Sequence, residues 1–278
     1  MTRVIDSHLH VWDLGLSEYA WLGPQHGPIF RTFEPEEAVA ELSAAGVDGA
    51  VLVQAEDSLR DTEHMLAAGD RFPQFVGVVG WVALDDPRAA AEQLDRWQEH
   101  PGFSGVRHLV HNESRADFLD LPAVRASLAD LARRGLAFDV PDAWPDHLAR
   151  VQGLARDLPD LTVVVDHLAK PPRGTAALEQ WRRTLEAVAA QPNTVAKVSG
   201  LYTDAAPHTV EALEEVWDVA LTAFGPDRLM WGSDWPVAVL AGGYAEVTAV
   251  LRELIGRLSE DEQSALLGGT ATRVYRLS

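Results

Sequence analysis

The sequence predicts an α/β chain folded as a (β/α)8 TIM barrel, and three observations carry the prediction. Eight short runs rich in apolar and β-branched residues recur along the 278 residues. Stretches of helical periodicity separate them, and the run ends lie roughly 30 residues apart, the length of one strand-helix repeat. A barrel of this kind takes roughly 250 residues, so one domain over residues 1–278 is expected. No linker, low-complexity tract or block of like charge divides the chain.

In chain order the first run is "RVIDSHLH", ending at His10. The second, "GAVLVQA", ends near Ala55, and the long gap between them has room for a loop over a site. Then come "QFVGVVGWV" and the stretch "DPRAAAEQLDRWQEH", where Asp86 can cap orphan N–H groups and Pro87 suits the first helical position. "FSGVRHLV" follows, and then "LPAVRASLADLARRG", a helix that Gly135 stops. The runs "LAFDV", "TVVVDHLAK" and "TVAKVSG" lead to "VEALEEVWDVALTAFG". There Val210, Leu213, Val216, Trp217, Ala220 and Phe224 recur at helical spacing, as a core-packing face does. "RLMWGSDWP" is the eighth run. A doubly wound open sheet is the rival architecture, but a glycine-rich dinucleotide fingerprint does not follow the first strand.

Composition narrows the function. Against 42 acidic residues stand 23 basic ones, a formal charge of -19. Such a surface repels phosphate backbones and anionic lipid, so neither nucleic acid nor membrane is expected as a partner. With no cysteine, disulfides, thiolate nucleophiles and thiolate metal ligands are excluded. The chain enters a strand-like run at once, without a basic segment and apolar stretch, so a cytoplasmic location is expected.

Strand alternation puts Asp6, His8 and His10 on one face of the first run, with the histidines at its C-terminal end. In a barrel that end is the mouth, where side chains from different strands converge. The sixth run brings His167 to its own end and the eighth brings Asp234. Three imidazoles and a carboxylate make a mixed N/O donor set suited to Zn²⁺ or a similar ion. Arg107 and His108 lie in the fourth run and His111 directly after it, a polar cluster at that strand's end. In the long first loop Tyr19 and Trp21 either form an aromatic wall over a ligand ring or staple the loop to the barrel. Trp235 either shapes the pocket or packs beneath it, and alternation aims Lys197 and Ser199 the same way; Lys170 carries no further reading.

D-x-H-x-H on the first strand with G-S-D-W-P on the last resembles the amidohydrolase superfamily. "GVRHLVHNE", "DHLAKPP", "KVSGLYTDA", "FGPDRLMWGSDWPV" and "LLGGTATRVYRL" together resemble its branch of L-fuconolactonases and L-rhamnonolactonases, over nearly the whole chain. The resemblance implies a metal or polar site of His8, His10, His167 and Asp234, with Asp234 and His167 in the chemistry and Asp234 transferring the proton. It also implies substrate contacts from Arg107, His108 and His111. The lysine or glutamate that bridges two metals in binuclear relatives is missing from the fourth strand, and "LAFDV" has no histidine. At most one divalent ion is therefore expected, Zn²⁺ by its donors.

Lactone hydrolysis needs an activated water, a polarised carbonyl and a proton for the departing alkoxide, and one metal with one carboxylate can supply all three. The expected function is therefore opening of a small-molecule sugar-acid lactone to the aldonic acid. Alternatives are a lactone of aromatic breakdown, such as a muconolactone or pyrone dicarboxylate, a metal-dependent decarboxylase, or an inactive sugar-binding barrel. Nothing in the sequence sets the oligomeric state.

Overall fold

A computed structural model describes residues 3–202 and 206–278, so the last three positions of the "KVSGLYTDA" stretch lie outside the described residues. Eight parallel strands pair in the order of the chain, β1 (Ile5–Leu9), β2 (Gly49–Val53), β3 (Phe75–Gly80), β4 (Phe103–Arg107), β5 (Ala137–Val140), β6 (Val163–Val165), β7 (Thr194–Val198) and β8 (Leu229–Trp231). The ring closes just beyond β8, where His10 N donates to Trp235 O at 2.7 Å and Asp234 N to His8 O at 2.8 Å. Closure thus runs through the residues that carry the first and last motifs.

Between the strands run α1 (Pro35–Ala44), α2 (Leu59–Arg71), α3 (Pro87–Trp97), α4 (Pro122–Arg134), α5 (Leu148–Asp157), α6 (Leu178–Ala189) and α7 (Val210–Phe224). After β8 come α8 (Tyr244–Ile255), α9 (Glu260–Ser264) and α10 (Thr270–Tyr275). Local chemistry sets the ends as expected. Asp86 accepts from Arg88 N and Ala89 N, both at 3.1 Å, and Pro87 opens α3. Gly135 closes α4 with φ of 69°, a left-handed turn that costs a residue with a side chain more than it costs glycine. All six apolar positions read on α7 are buried. Among the described residues no helix is long and apolar enough to cross a membrane.

Two apolar layers result. The larger lies between the strands and the outer helices. The smaller fills the barrel with Ile5, Val51, Val53, Val79, Val164, Val195 and Met230, and Val274, Tyr275 and Leu277 at the chain's end plug it from below.

One expectation about β1 fails. Between Asp6 and Leu9 the strand carries an extra residue relative to β2, a bulge that breaks the two-residue alternation. Ile5 therefore joins the barrel interior, while Asp6 turns outward and accepts from Ser233 N and from the Tyr244 hydroxyl of α8, both at 3.0 Å. Asp6 and the two histidines do not share a face. The carboxylate instead ties the first and last strands together behind the site, since it also takes His8 N at 3.0 Å.

Candidate active site

Four side chains meet at the mouth. His8 is the penultimate residue of β1 and His10 lies just beyond its end, and both are buried. His167 stands two residues past β6 and opens a run of four left-handed residues, with φ of 55°, 51°, 59° and 59° through Lys170. Asp234, three residues past β8, is left-handed too, with φ of 56°. Each such residue costs about 1–2 kcal/mol, and strain of this kind collects where a backbone must aim a functional group. The first turn is held by Trp181 Nε1, which donates to Leu168 O at 2.8 Å. Gly200, with φ of 58°, leaves the needed space: a Cβ there would lie 2.6 Å from His167 Nδ1 and 2.7 Å from Asp234 Oδ2.

The tautomers follow from the partners. His10 Nδ1 lies 2.7 Å from Val53 O, which only accepts, so Nδ1 carries the proton and Nε2 a lone pair. Arg107, which only donates, brings NH1 to 2.9 Å from His8 Nε2, so that nitrogen also presents a lone pair. These two nitrogens are 3.1 Å apart. Asp234 Oδ1 is 3.2 Å from His10 Nε2, 3.7 Å from His8 Nε2 and 3.9 Å from His167 Nε2. His167 Nδ1 is occupied by Ser199 Oγ at 2.9 Å.

Acceptors gathered so closely repel one another unless a cation lies among them. Around a tetrahedral ion with bonds of 2.0–2.1 Å, ligand atoms stand about 3.3–3.4 Å apart, close to these separations. His8, His167 and Asp234 each bring one donor atom within 4.8 Å of the others. The donor set fits one divalent cation, which would compete with Arg107 for the His8 lone pair.

Protonation agrees with that fit. Burial, then Lys197, His10 and Arg107, hold the pKa of His8 well below its ordinary value. Burial and the neighbouring Lys170 and His8 do the same for His167, against the pull of Asp234. Burial alone would raise the Asp234 carboxyl, but His167, His10 and Lys170 outweigh it and keep the carboxyl well below the usual carboxylate range. Neutral imidazole and ionised carboxylate are the forms that ligate metal.

Above the donors lies a cavity of about 530 Å³. Trp21, Ile29, Val237 and Leu240 give it an apolar wall, and Arg107, His111, Asp142 and Lys170 a polar one. Trp21 is pinned by a 2.7 Å bond from Nε1 to Ala55 O. Tyr19 staples the loop, its hydroxyl donating to Asp61 Oδ1 at 2.6 Å.

Two residues read as substrate contacts lie away from this cavity. His108 stacks on Phe118 with ring centroids 4.2 Å apart and takes the Trp81 indole N–H at 3.3 Å. Trp235 is buried edge-on against Phe33, centroids 5.3 Å apart.

Other polar residues of the site went unread in the sequence. Asp139 and Asp166 are fully buried beside Lys197. Tyr202 donates its hydroxyl toward Ser233 O and Asp234 O, both at 3.0 Å. Asp142 lines the cavity with φ of 45°. A signal for Asp139 existed, because a charged residue inside the apolar run "LAFDV" needs a buried partner, and Lys197 in "VAKVSG" is the same anomaly two strands away.

Residues 5–277 match the family described as amidohydrolase. The chain belongs to that family. This amidohydrolase is 33% identical to an L-fucono-1,5-lactonase of Burkholderia ambifaria, over 100% of this chain and 97% of that protein. To an L-fucono-1,5-lactonase of Burkholderia multivorans it is 36% identical, over 98% of this chain and 96% of that one. The crystal structure of an amidohydrolase from Burkholderia multivorans with bound zinc superposes on it with a TM-score of 0.91 at 33% identity, covering 99% of this chain and 100% of that one.

Proposed function

We propose that this amidohydrolase opens a sugar-acid lactone, of the L-fucono or L-rhamnono type, to the free aldonic acid. The observation that carries the proposal is the convergence of His8, His10, His167 and Asp234 beneath a cavity with one polar and one apolar wall. Kinship over the full length with two L-fucono-1,5-lactonases supports the substrate class. The family match and the unbroken strand order support one domain over residues 1–278.

Asp234 accepts the proton of the attacking water as the new C–O bond forms at the lactone carbonyl. The tetrahedral oxyanion then collapses, the bond to the ring oxygen breaks, and the departing alkoxide takes the proton back from Asp234. Arg107 and His111 face the cavity from β4 and the loop after it, placed to hold the carbonyl side of the ring. The apolar wall of Ile29, Val237 and Leu240 suits the methyl group of a 6-deoxy sugar acid, and Trp21 gives the ring a flat face. His8, His10, His167 and Asp234 would hold a divalent ion, zinc by its donors, and such an ion would acidify water so that a weakly basic carboxylate suffices as proton acceptor.

A lactone with two carboxylates suits the polar wall less well, because the Asp142 carboxylate stands 3.9 Å from Lys170 and offsets its charge. The test is a pH-indicator assay over aldonolactones, a muconolactone and pyrone dicarboxylate, with carbon dioxide release followed in parallel. Acid release from a 6-deoxy aldonolactone is expected. No acid from any aldonolactone overturns the reading, and carbon dioxide release transfers the site to a decarboxylase.

A further inference from the structure

Below His8 the barrel interior holds a chain of buried polar groups that the proposed chemistry does not use. Lys197, fully buried on β7, brings Nζ to 2.6 Å from Asp139 Oδ2 on β5 and 3.1 Å from Asp166 Oδ1 just past β6. Asp139 Oδ2 also accepts the hydroxyl of Tyr275 at 2.7 Å. Tyr275 belongs to α10, the short helix that plugs the barrel from below, and its ring centroid lies 5.3 Å from Lys197 Nζ. At the upper end Asp166 Oδ1 is 3.4 Å from His8 Nδ1, and Asp166 Oδ2 is 3.6 Å from Arg107 Nε.

Stability alone is a poor reason for such a chain. Desolvating charges is costly, and well-packed apolar residues in their place are often neutral or stabilising. Geometry gives a better reason. Arg107 on Nε2 requires His8 to accept there, so Nδ1 carries the proton and needs an acceptor. Asp166 Oδ1, buried and 3.4 Å away, is the acceptor within reach. Lys197 Nζ also lies 3.1 Å from His8 Nδ1, but with Nδ1 protonated two donors cannot bond each other, and the carboxylate oxygen Asp166 Oδ1 stands 3.1 Å from the one and 3.4 Å from the other. Lys197 thus fixes Asp166, Asp139 fixes Lys197, and Tyr275 fixes Asp139.

We propose that Tyr275, Asp139, Lys197 and Asp166 form a positioning relay that locks the ring and the Nδ1–H tautomer of His8, making the C-terminal helix on the barrel floor part of the machinery at the mouth. The proposal rests on reading His8 as a ligand through Nε2, and it gives the closing stretch "LLGGTATRVYRL" a role at the site. Carboxylate partners behind ligating histidines typically carry 10–100-fold in metal affinity.

Lys197→Met and Tyr275→Phe test it, with Val274→Ala as a control that loosens the same helix without touching the relay. Two readouts are used. The first is the long-range ¹H–¹⁵N spectrum of the histidine rings in chelator-treated protein, which reports the His8 tautomer without any metal. The second is Co²⁺ affinity by competition with a chromophoric chelator. The wild type is expected to show His8 as Nδ1–H. Lys197→Met should mix its tautomers and weaken Co²⁺ binding by roughly 10–100-fold, and Tyr275→Phe, two residues further along the relay, by roughly threefold to tenfold. Val274→Ala should lower only the melting temperature.

A wild-type His8 found as Nε2–H overturns the proposal. So does a pair of relay variants that match Val274→Ala, with unchanged ring signals and Co²⁺ affinity within twofold. If Lys197→Met does not fold, Tyr275→Phe, which keeps the ring and loses one oxygen, decides. If the wild type binds no Co²⁺, the ligand reading fails, and the ring spectra alone then decide the relay.

Discussion

Two histidine-bearing stretches look alike in the sequence and behave differently in the fold. His8 and His10 at the end of β1 both point into the donor cluster. In the stretch from Arg107 to His111 at the end of β4, Arg107 reaches His8 and lines the cavity with His111, while His108 turns away to Phe118 and Trp81. The reason is local backbone. Parallel pairing and the contacts to Val53 O and Trp235 O hold β1 past its formal end. β4 stops at Arg107, and a 3₁₀ turn at Val110–Asn112 replaces strand alternation with a threefold repeat. Chemistry read from alternate residues therefore holds only as far as the pairing does.

The largest effect should come from the partner of the β1 pair. Asp234→Asn keeps size and hydrogen-bonding reach but removes the charge proposed to accept a proton, so kcat should fall by roughly 10²–10⁴. His10→Ala should lower bound metal in elemental analysis while leaving the circular dichroism unchanged, because a mouth position contributes chemistry more than packing. Near-normal turnover in Asp234→Asn would break the comparison, leaving the β1 cluster no more functional than His108.

Next comes Gly200, where the clearance is geometric. A Cβ at 2.6 Å from His167 Nδ1 forces one of the four donors aside. Misplacement of about 1 Å can cost roughly 10² in rate, and Gly200→Ala should lose about that much in kcat while still binding substrate. An unchanged rate would mean that His167 is not held in register by this contact.

The fold was legible because strands buried on both faces read as continuous apolar runs, and eight of them stood out against amphipathic helices. The convergence of His8, His10, His167 and Asp234 was legible because each stands at or near the end of such a run. The β1 bulge was not, since one extra residue leaves no mark on composition, and Asp6 was placed on the wrong face for that reason. Nor was the left-handed turn from His167 to Lys170 visible, as none of its residues is glycine. Lys197, Asp139 and Asp166 stood in apolar runs as isolated charges, and their meaning depended on which strands became neighbours in the ring.

Arg107→Met sharpens the comparison within the β4 stretch. Hydrogen bonds to charged groups contribute about 1.5–3 kcal/mol, so losing the one proposed from Arg107 to substrate should lower kcat/KM by roughly 10–100-fold. Its effect on metal should be opposite to that of His10→Ala. Removing a competitor for the His8 Nε2 lone pair leaves metal affinity, measured by chelator competition, equal or tighter. Weaker metal binding would mean that the guanidinium supports the ligand geometry instead of competing with it.

The smallest catalytic effect is expected at His108, whose ring is spent on the loop. His108→Gln retains an acceptor for the Trp81 indole and should leave kcat/KM within about twofold, as for a residue away from the cavity. Its mark should appear in stability against pH. Burial lowers the pKa of His108 below its ordinary 6.5, although Asp57 and Glu113 pull the other way. The unfolded chain then binds more protons than the folded one as pH falls through 6.5, so this group's contribution is full above that pH and is lost below it. Thermal midpoints of His108→Gln should therefore decline less steeply than wild type on acidification below 6.5, with a lower midpoint at neutral pH from the lost stacking on Phe118. A pH slope identical to wild type, or a large loss of kcat/KM, would place His108 with His111 after all, and the division of the β4 stretch would fall.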